Sequence, residues 1–189
     1  MAGSSKLRIG VLALQGDVRE HMAMLEQLDV EAVPVRREIE LARVDGLIIP
    51  GGESSVMDKL ARAFDLNEPL KTAISGGLPV FGTCAGLIML AENILDAIEG
   101  QHSLGGLDVD VRRNAFGAQV DSFEVEVDAP AIADTPLAAA FIRAPVVDRV
   151  GDDVDVLATL SDGRVVGVQQ GNATLFPYTT LFRSRKSVV

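Results

Sequence analysis

Three apolar runs, each closing on a glycine-bearing turn that opens a helical repeat, constrain this chain more than any other feature. Arg8 to Leu14 reads as a buried strand, and Gln15-Gly16-Asp17 turns it into a helix on which Val18, Met22 and Leu25 recur, with Asp17 as N-cap. Gly46 to Ile49 is a strand ending in Pro50-Gly51-Gly52-Glu53-Ser54, followed by helical patterns over Ser55–Phe64 and Glu68–Ile74. Leu78 to Phe81 is another, and the helix after it is predicted over Ala85–Ile94. Glu31 to Val35 adds a strand whose Pro34 suits a sheet edge. Strands alternating with helices give an α/β fold around a mainly parallel sheet.

The pattern changes after Gly100. Leu107–Val111 and Phe123–Val127 alternate apolar with acidic residues, the mark of half-solvated, antiparallel strands. Short strands are predicted over Ala140–Arg143, Val154–Thr159 and Val165–Gln169, the last two joined as a hairpin through Ser161-Asp162-Gly163. The expected fold is a three-layer, flavodoxin-like α/β domain with an antiparallel extension.

Composition excludes several function classes. With 27 acids against 17 bases the net charge is −10, which speaks against nucleic acid or an anionic membrane as partner. No apolar run approaches the roughly 20 residues of a membrane span. A single cysteine leaves no disulfide framework or cysteine-rich metal site and fits a reducing, cytoplasmic setting. There are two histidines, His21 and His102.

The strongest local signal is Gly82-Thr83-Cys84-Ala85-Gly86, between a strand and a helix. It has the shape of a nucleophile elbow, with glycines permitting a sharp turn and a helix N-terminus favouring a thiolate. A lone buried cysteine in a glycine-rich turn would share this spacing. Pro50-Gly51-Gly52-Glu53-Ser54 could turn backbone amides toward a carboxylate or an oxyanion, or could be an ordinary strand-to-helix loop capped by Ser54. Loops that follow parallel strands meet at the sheet edge where α/β ligands bind. Arg112-Arg113-Asn114-Ala115-Phe116-Gly117 could grip an anion or be a solvated hairpin loop, and Phe141-Ile142-Arg143-Ala144-Pro145 could be an ordinary edge strand.

Taken in order, Leu12-Ala13-Leu14-Gln15-Gly16, Pro50 to Ser54, Phe81 to Leu87, Arg113 to Gly117 and Phe141 to Pro145 resemble one family over about Lys6 to Gly171. It is the glutaminase subunit family of pyridoxal 5′-phosphate synthase (PdxT/SNO), class I triad glutamine amidotransferases. The run Gln15 to His21, together with Arg113 to Gly117 and Phe141 to Pro145, narrows the resemblance to this family within the broader class; another triad glutaminase, such as that of imidazole glycerol phosphate synthase, fits the motifs less well. The resemblance implies Cys84 as nucleophile on L-glutamine and the amides of Gly52 and Ala85 as oxyanion hole. It implies substrate contacts from Gly52, Glu53, Ser54, Arg113, Ile142 and Arg143, and Gln15 as an activating residue near the partner interface. The implied partner is the barrel-shaped lyase subunit, which receives the ammonia; no metal or cofactor is implied for this chain.

The family also requires a His-Pro-Glu segment soon after its Gln-Gly motif, supplying the general base and the residue that orients it. Here Gln169-Gln170-Gly171-Asn172 leads into Ala173-Thr174-Leu175-Phe176-Pro177-Tyr178, with no histidine after His102 and no glutamate after Glu126. His21 and His102 read as surface histidines. Ala118 stands where relatives commonly carry arginine. Residues 174–189 hold three bases, no acid and three of the eight aromatics. Thr174 to Ser184 equals the conceptual translation of a common short-read sequencing adapter. The expected organisation is therefore an amidotransferase domain over residues 6–173, without its His-Pro-Glu segment and last helix, and a non-native tail over 174–189. The chain is expected either to belong to the enzyme family with little activity of its own, or to dock on the synthase without making ammonia.

Overall fold

The computed structural model describes residues 6–113, 123–127, 129, 137–141 and 144–176. Strand β1 (Arg8–Leu12) leads to helix α1 (Val18–Leu25), and β2 (Glu31–Val35) to α2 (Glu38–Leu41). Strand β3 (Gly46–Ile49) is followed by α3 (Ser54–Ala63) and α4 (Asn67–Ser75). Next come β4 (Val80–Thr83), α5 (Ala85–Leu90), β5 (Ala91–Ile94) and β6 (Leu107–Arg112). The second half holds the strands β7 (Phe123–Val127), β8 (Leu137–Phe141), β9 (Val146–Val150), β10 (Asp155–Thr159), β11 (Val165–Gln170) and β12 (Ala173–Phe176).

The main sheet runs β2-β1-β3-β4-β12-β11-β9-β6-β5, with β10 paired to β11. From β2 to β12 every pairing is parallel; beyond β12 the pairings are antiparallel, except β5 with β6. Strands β7 and β8 form a separate antiparallel pair. The order reverses at β1 and β3, the flavodoxin-like switch point, so the loops leaving those strands open beside each other at one edge. Edge strand β2 accommodates Pro34, which has no N–H to give a further neighbour.

Alternation along the strands gives the sheet two faces. Leu12, Leu47, Ile49, Val80 and Leu175 point into the main core with Met57 and Ala61 of α3, Leu70 of α4 and Leu87 of α5. Helix α3 buries Ser54, Met57, Asp58 and Ala61, one stripe at a period of 3.6. Among the described helices only α1 packs on the opposite face. Beside it an apolar groove of about 430 Å³ is lined by Ile9, Leu25, Ile48, Phe81 and Thr174. A smaller cluster of Val127, Val146, Ala158, Leu160 and Val166 extends this side into the antiparallel half.

Several expectations change. The helix predicted over Ala85–Ile94 stops at Leu90, and residues 91–94 become an edge strand. Hydrogen bonding to β6, reinforced by Asn93 Nδ2 donating to Asp110 Oδ1 at 2.8 Å, wins over local helical spacing. This makes β6 parallel to one neighbour and antiparallel to the other, rather than antiparallel throughout. Helix α2, strand β9 and strand β12 carry no clear periodic signal. Asp17 occupies the N-cap position but its side chain caps nothing. At α3 the cap is Glu53, not Ser54: its carboxylate accepts from Ser55 N–H, and Ser54 is the first helical residue.

Candidate active site

The loops after β1, β3 and β4 converge at the switch point. Cys84 holds φ 48° and ψ −100°, a conformation that side-chain-bearing residues rarely adopt. The strain therefore sits on the cysteine itself. The two glycines of the elbow answer a different need. A Cβ on Gly86 would lie 2.4 Å from the Ile49 carbonyl oxygen, and one on Gly82 would lie 2.4 Å from Leu175 Cδ2. They let α5 press its first turn against β3 and let β4 lie close to β12. Cys84 itself is half-buried, and Ala85 behind it is fully buried.

The loop after β3 lies against this elbow. A Cβ on Gly51 would stand 3.5 Å from Cys84 Cβ and 2.7 Å from Asp17 Oδ2. Asp17 N–H donates to the Gly51 carbonyl at 3.0 Å, and Glu53 N–H donates to Gln15 Oε1 at 2.7 Å. Gly16, at φ 102°, passes so close to the Gly51 carbonyl that no side chain could fit there. The first and second glycine loops are thus zipped together, leaving Gly52 and Glu53 exposed at the rim.

Arg113, just past β6, reaches across to the same rim. Its Nη2 donates to Glu53 Oε1 at 3.1 Å and its Nη1 to Gln101 Oε1 at 2.7 Å. Gln101 Nε2 in turn donates to Ser54 Oγ at 3.0 Å. Glu53 also accepts from Ser55 Oγ at 2.9 Å. An exposed carboxylate and a guanidinium lie together on the loop that packs against the cysteine, with the Ser54 hydroxyl buried beneath them, a pair of opposite charges that suits the zwitterionic end of an amino acid.

Of the sequence-predicted residues, the fold brings Gln15, Gly52, Glu53, Ser54, Cys84, Ala85 and Arg113 to one edge. Ile142, Arg143, the Asn114–Gly117 part of the basic motif and Ala118 lie outside the described residues, as does the chain from Pro177 onward. A cavity of about 530 Å³ lined by Arg62, Asn67, Lys71 and His102 contains none of the expected site residues. His102 is exposed, as read from the sequence.

His21 corrects its surface reading. It is half-buried on α1, with Nε2 3.2 Å from Thr83 Oγ1, next to the elbow. Burial is the main cause that lowers its pKa, against the charges of Asp17 and Glu20. Burial likewise raises Asp17, helped by Glu20 and opposed by His21. The sequence does carry a signal for this: His21 precedes buried Leu25 by four residues, so both face the sheet. Gln101 has no such signal, because it sits in the irregular stretch before β6.

Strand β12 pairs with β4 in the register Ala173↔Val80 to Phe176↔Thr83, so it ends level with the elbow. The boundary expected at residue 173 falls inside this strand.

Comparison with known proteins fits this geometry. The model of the SNO glutamine amidotransferase family matches residues 11–179, running past that boundary. Pyridoxal 5′-phosphate synthase subunit PdxT of Leifsonia xyli subsp. xyli is 63% identical over 172 residues, covering 91% of this chain and 86% of the relative. The subunit of the same name from Acidothermus cellulolyticus is 57% identical over 172 residues, covering 89% and 83%. A glutamine amidotransferase crystal structure superposes with a TM-score of 0.83 at 43% identity, covering 90% of this chain and 89% of that one. A glutamine amidotransferase of Thermotoga maritima, at 13% identity and a TM-score of 0.63, over 93% of this chain and 76% of its own, shares the fold. By the extent of the family match and these identities, the chain belongs to the SNO glutamine amidotransferase family.

Proposed function

We propose that this chain derives from the glutaminase subunit of a pyridoxal 5′-phosphate synthase, acting on L-glutamine in the cytoplasm and docking on the barrel-shaped lyase subunit. The observation that carries this is the strained Cys84 lying against the Gly51–Ser54 loop, in a chain 63% identical to a subunit of that name.

In this reading the Cys84 thiolate attacks the side-chain amide carbon of glutamine. The tetrahedral oxyanion is held by the amides of Gly52 and Ala85. The C–N bond breaks, ammonia leaves after taking up a proton, and a glutamyl thioester remains on Cys84. Water then cleaves the thioester to glutamate. Glu53 receives the substrate ammonium, while Arg113 and Ser54, with Ile142 and Arg143, receive its carboxylate and main chain. Gln15, already bonded to Glu53 N–H, tunes the loop that carries the Gly52 amide. No step calls for a metal or a cofactor.

Both proton transfers need a base at the end of β12, and the sequence provides no histidine there. We therefore assign residues 6–173 to the amidotransferase domain and residues 174–189 to translated adapter sequence. With this C-terminal segment the chain has negligible glutaminase activity.

The test is ammonia release from glutamine with the lyase partner present. The unmodified chain is expected to show none. A chimera in which residues 174–189 are replaced by the corresponding segment of the Leifsonia xyli relative is expected to show turnover that C84S abolishes. An inactive chimera refutes the glutaminase reading. Turnover by the unmodified chain refutes the assignment of the tail, and shows that another group does the histidine's work.

A further inference from the structure

We propose that Gln101 is a positioning residue of the amino-acid cradle, setting affinity for the substrate while leaving the reactivity of Cys84 untouched. This rests on the glutamine-site reading above. Gln101 lies in the connection between β5 and β6 and is only 9% exposed. Its side chain joins two residues that arrive from distant parts of the chain. The carbonyl Oε1 accepts from Arg113 Nη1 at 2.7 Å and from Ile98 N–H at 3.4 Å, and Nε2 donates to Ser54 Oγ at 3.0 Å.

Chemistry fixes the direction of this bridge. A guanidinium has only donors, so the carbonyl end of the amide must face Arg113 and the NH₂ end must face Ser54. The Ser54 oxygen is then occupied as an acceptor, and its own proton is left to donate. Arg113 is held in turn with Nη1 on Gln101 and Nη2 on Glu53 at 3.1 Å. One buried amide thereby fixes two donors in relation to each other: the Arg113 guanidinium, which reaches Glu53 at the rim, and the Ser54 hydroxyl buried beneath it. Cys84 sits on the loop after β4, and none of these Gln101 hydrogen bonds involves it.

The backbone around Gln101 is anchored independently. Its N–H donates to the Ile98 carbonyl at 3.0 Å, and the next residue's N–H donates to Asp58 Oδ2 at 3.1 Å. Asp58 is itself buried and paired with Arg62 at 2.8 Å. Trimming the side chain therefore removes only the long Ile98 N–H bond from the loop and leaves these backbone anchors in place.

The experiment follows labelling of Cys84 in the full chain by a diazoketone analogue of L-glutamine, with iodoacetamide as a reagent that needs no cradle. Q101A is expected to raise the half-saturating concentration of the analogue about tenfold, the loss typical of a hydrogen bond to a charged partner. The limiting labelling rate and the iodoacetamide rate should stay within about twofold of wild type, a split that general loss of structure would not produce. Q101E keeps an acceptor for Arg113 and should recover part of the loss. It also serves as the reading variant if Q101A fails to fold. An unshifted half-saturation in the folded variant, or equal losses in both parameters, overturns the proposal. Labelling of wild type that never saturates rejects the glutamine-site reading and this inference with it. Saturable labelling with no shift rejects the inference alone.

Discussion

The strain at Cys84 can be measured by comparing two variants that both lack the thiol. At φ 48° and ψ −100° the residue lies outside the left-handed helical basin, which needs positive ψ. Holding a side-chain-bearing residue in such a region costs about 1–3 kcal/mol. C84A keeps the Cβ and keeps that cost. C84G removes it, but glycine gives back about 0.4–1 kcal/mol through the greater freedom of the unfolded chain. At the middle of both ranges the balance favours C84G over C84A by about 1.3 kcal/mol. For a domain of this size that is a melting temperature higher by about 3–5 °C. Asp29 provides the reference, since φ 54° and ψ 33° place it in the ordinary left-handed basin. There the penalty for alanine is at the low end, about 1 kcal/mol, so D29G should exceed D29A by less. Thermal unfolding followed by circular dichroism, with urea titration as a check on two-state behaviour, reads all four variants. If C84G melts no higher than C84A, the elbow is not strained and the reasoning fails.

Gly86→Ala should cost about 1–3 kcal/mol or more, because its Cβ would stand 2.4 Å from the backbone oxygen of Ile49, which cannot turn aside as a side chain can. An unchanged urea midpoint would show that α5 does not press on β3 as described. His21→Gln should flatten the pH dependence of stability below neutrality. The native pKa of His21 lies below its ordinary value of 6.5, so as pH falls past that value the unfolded chain binds the proton first and the fold loses stability, a loss complete once the pH is below the native value. Asp17, whose pKa is raised, acts in the opposite sense at lower pH because the folded state takes up its proton first. Urea titrations from about pH 7.5 to about pH 5.5 should therefore show a downward slope in wild type that is reduced in H21Q; equal slopes would remove His21 as the source.

The parallel half of the fold was legible because its strands are short apolar runs with punctuation at both ends. Gly46–Ile49 and Glu31–Val35 could be bounded to the residue. The elbow and the Gly51–Ser54 loop were legible for the same reason, since glycine marks places where backbones approach closely. What escaped were features decided by contacts between distant residues. Ala91–Ile94 has helical company on its N-terminal side, yet β6 offers it a ladder. Ser54 has the composition of a cap, yet Glu53 takes the position because its extended backbone leaves its carboxylate over the first turn. The Gln101 bridge depends on a loop course that no local pattern encodes. His21 lay between these cases: its spacing to Leu25 was visible, but a histidine in the middle of a short helix reads as polar surface until Thr83 is known to lie beneath it.

The segment at β12 separates what a sheet demands from what a reaction demands. The slot between β4 and β11 asks for an extended backbone that can pair on both sides and for one apolar side chain on the core face. Ala173-Thr174-Leu175-Phe176 meets both conditions: it pairs in parallel with Val80–Thr83 and antiparallel with Val168–Gln170, and Leu175 is fully buried against Gly82. Many tetrapeptides rich in β-formers would do as well. The chemistry asks for far more, a proton acceptor of suitable pKa at one position past the strand and a second group to orient it. Under the proposed assignment a foreign segment satisfies the first demand by general propensity and cannot satisfy the second.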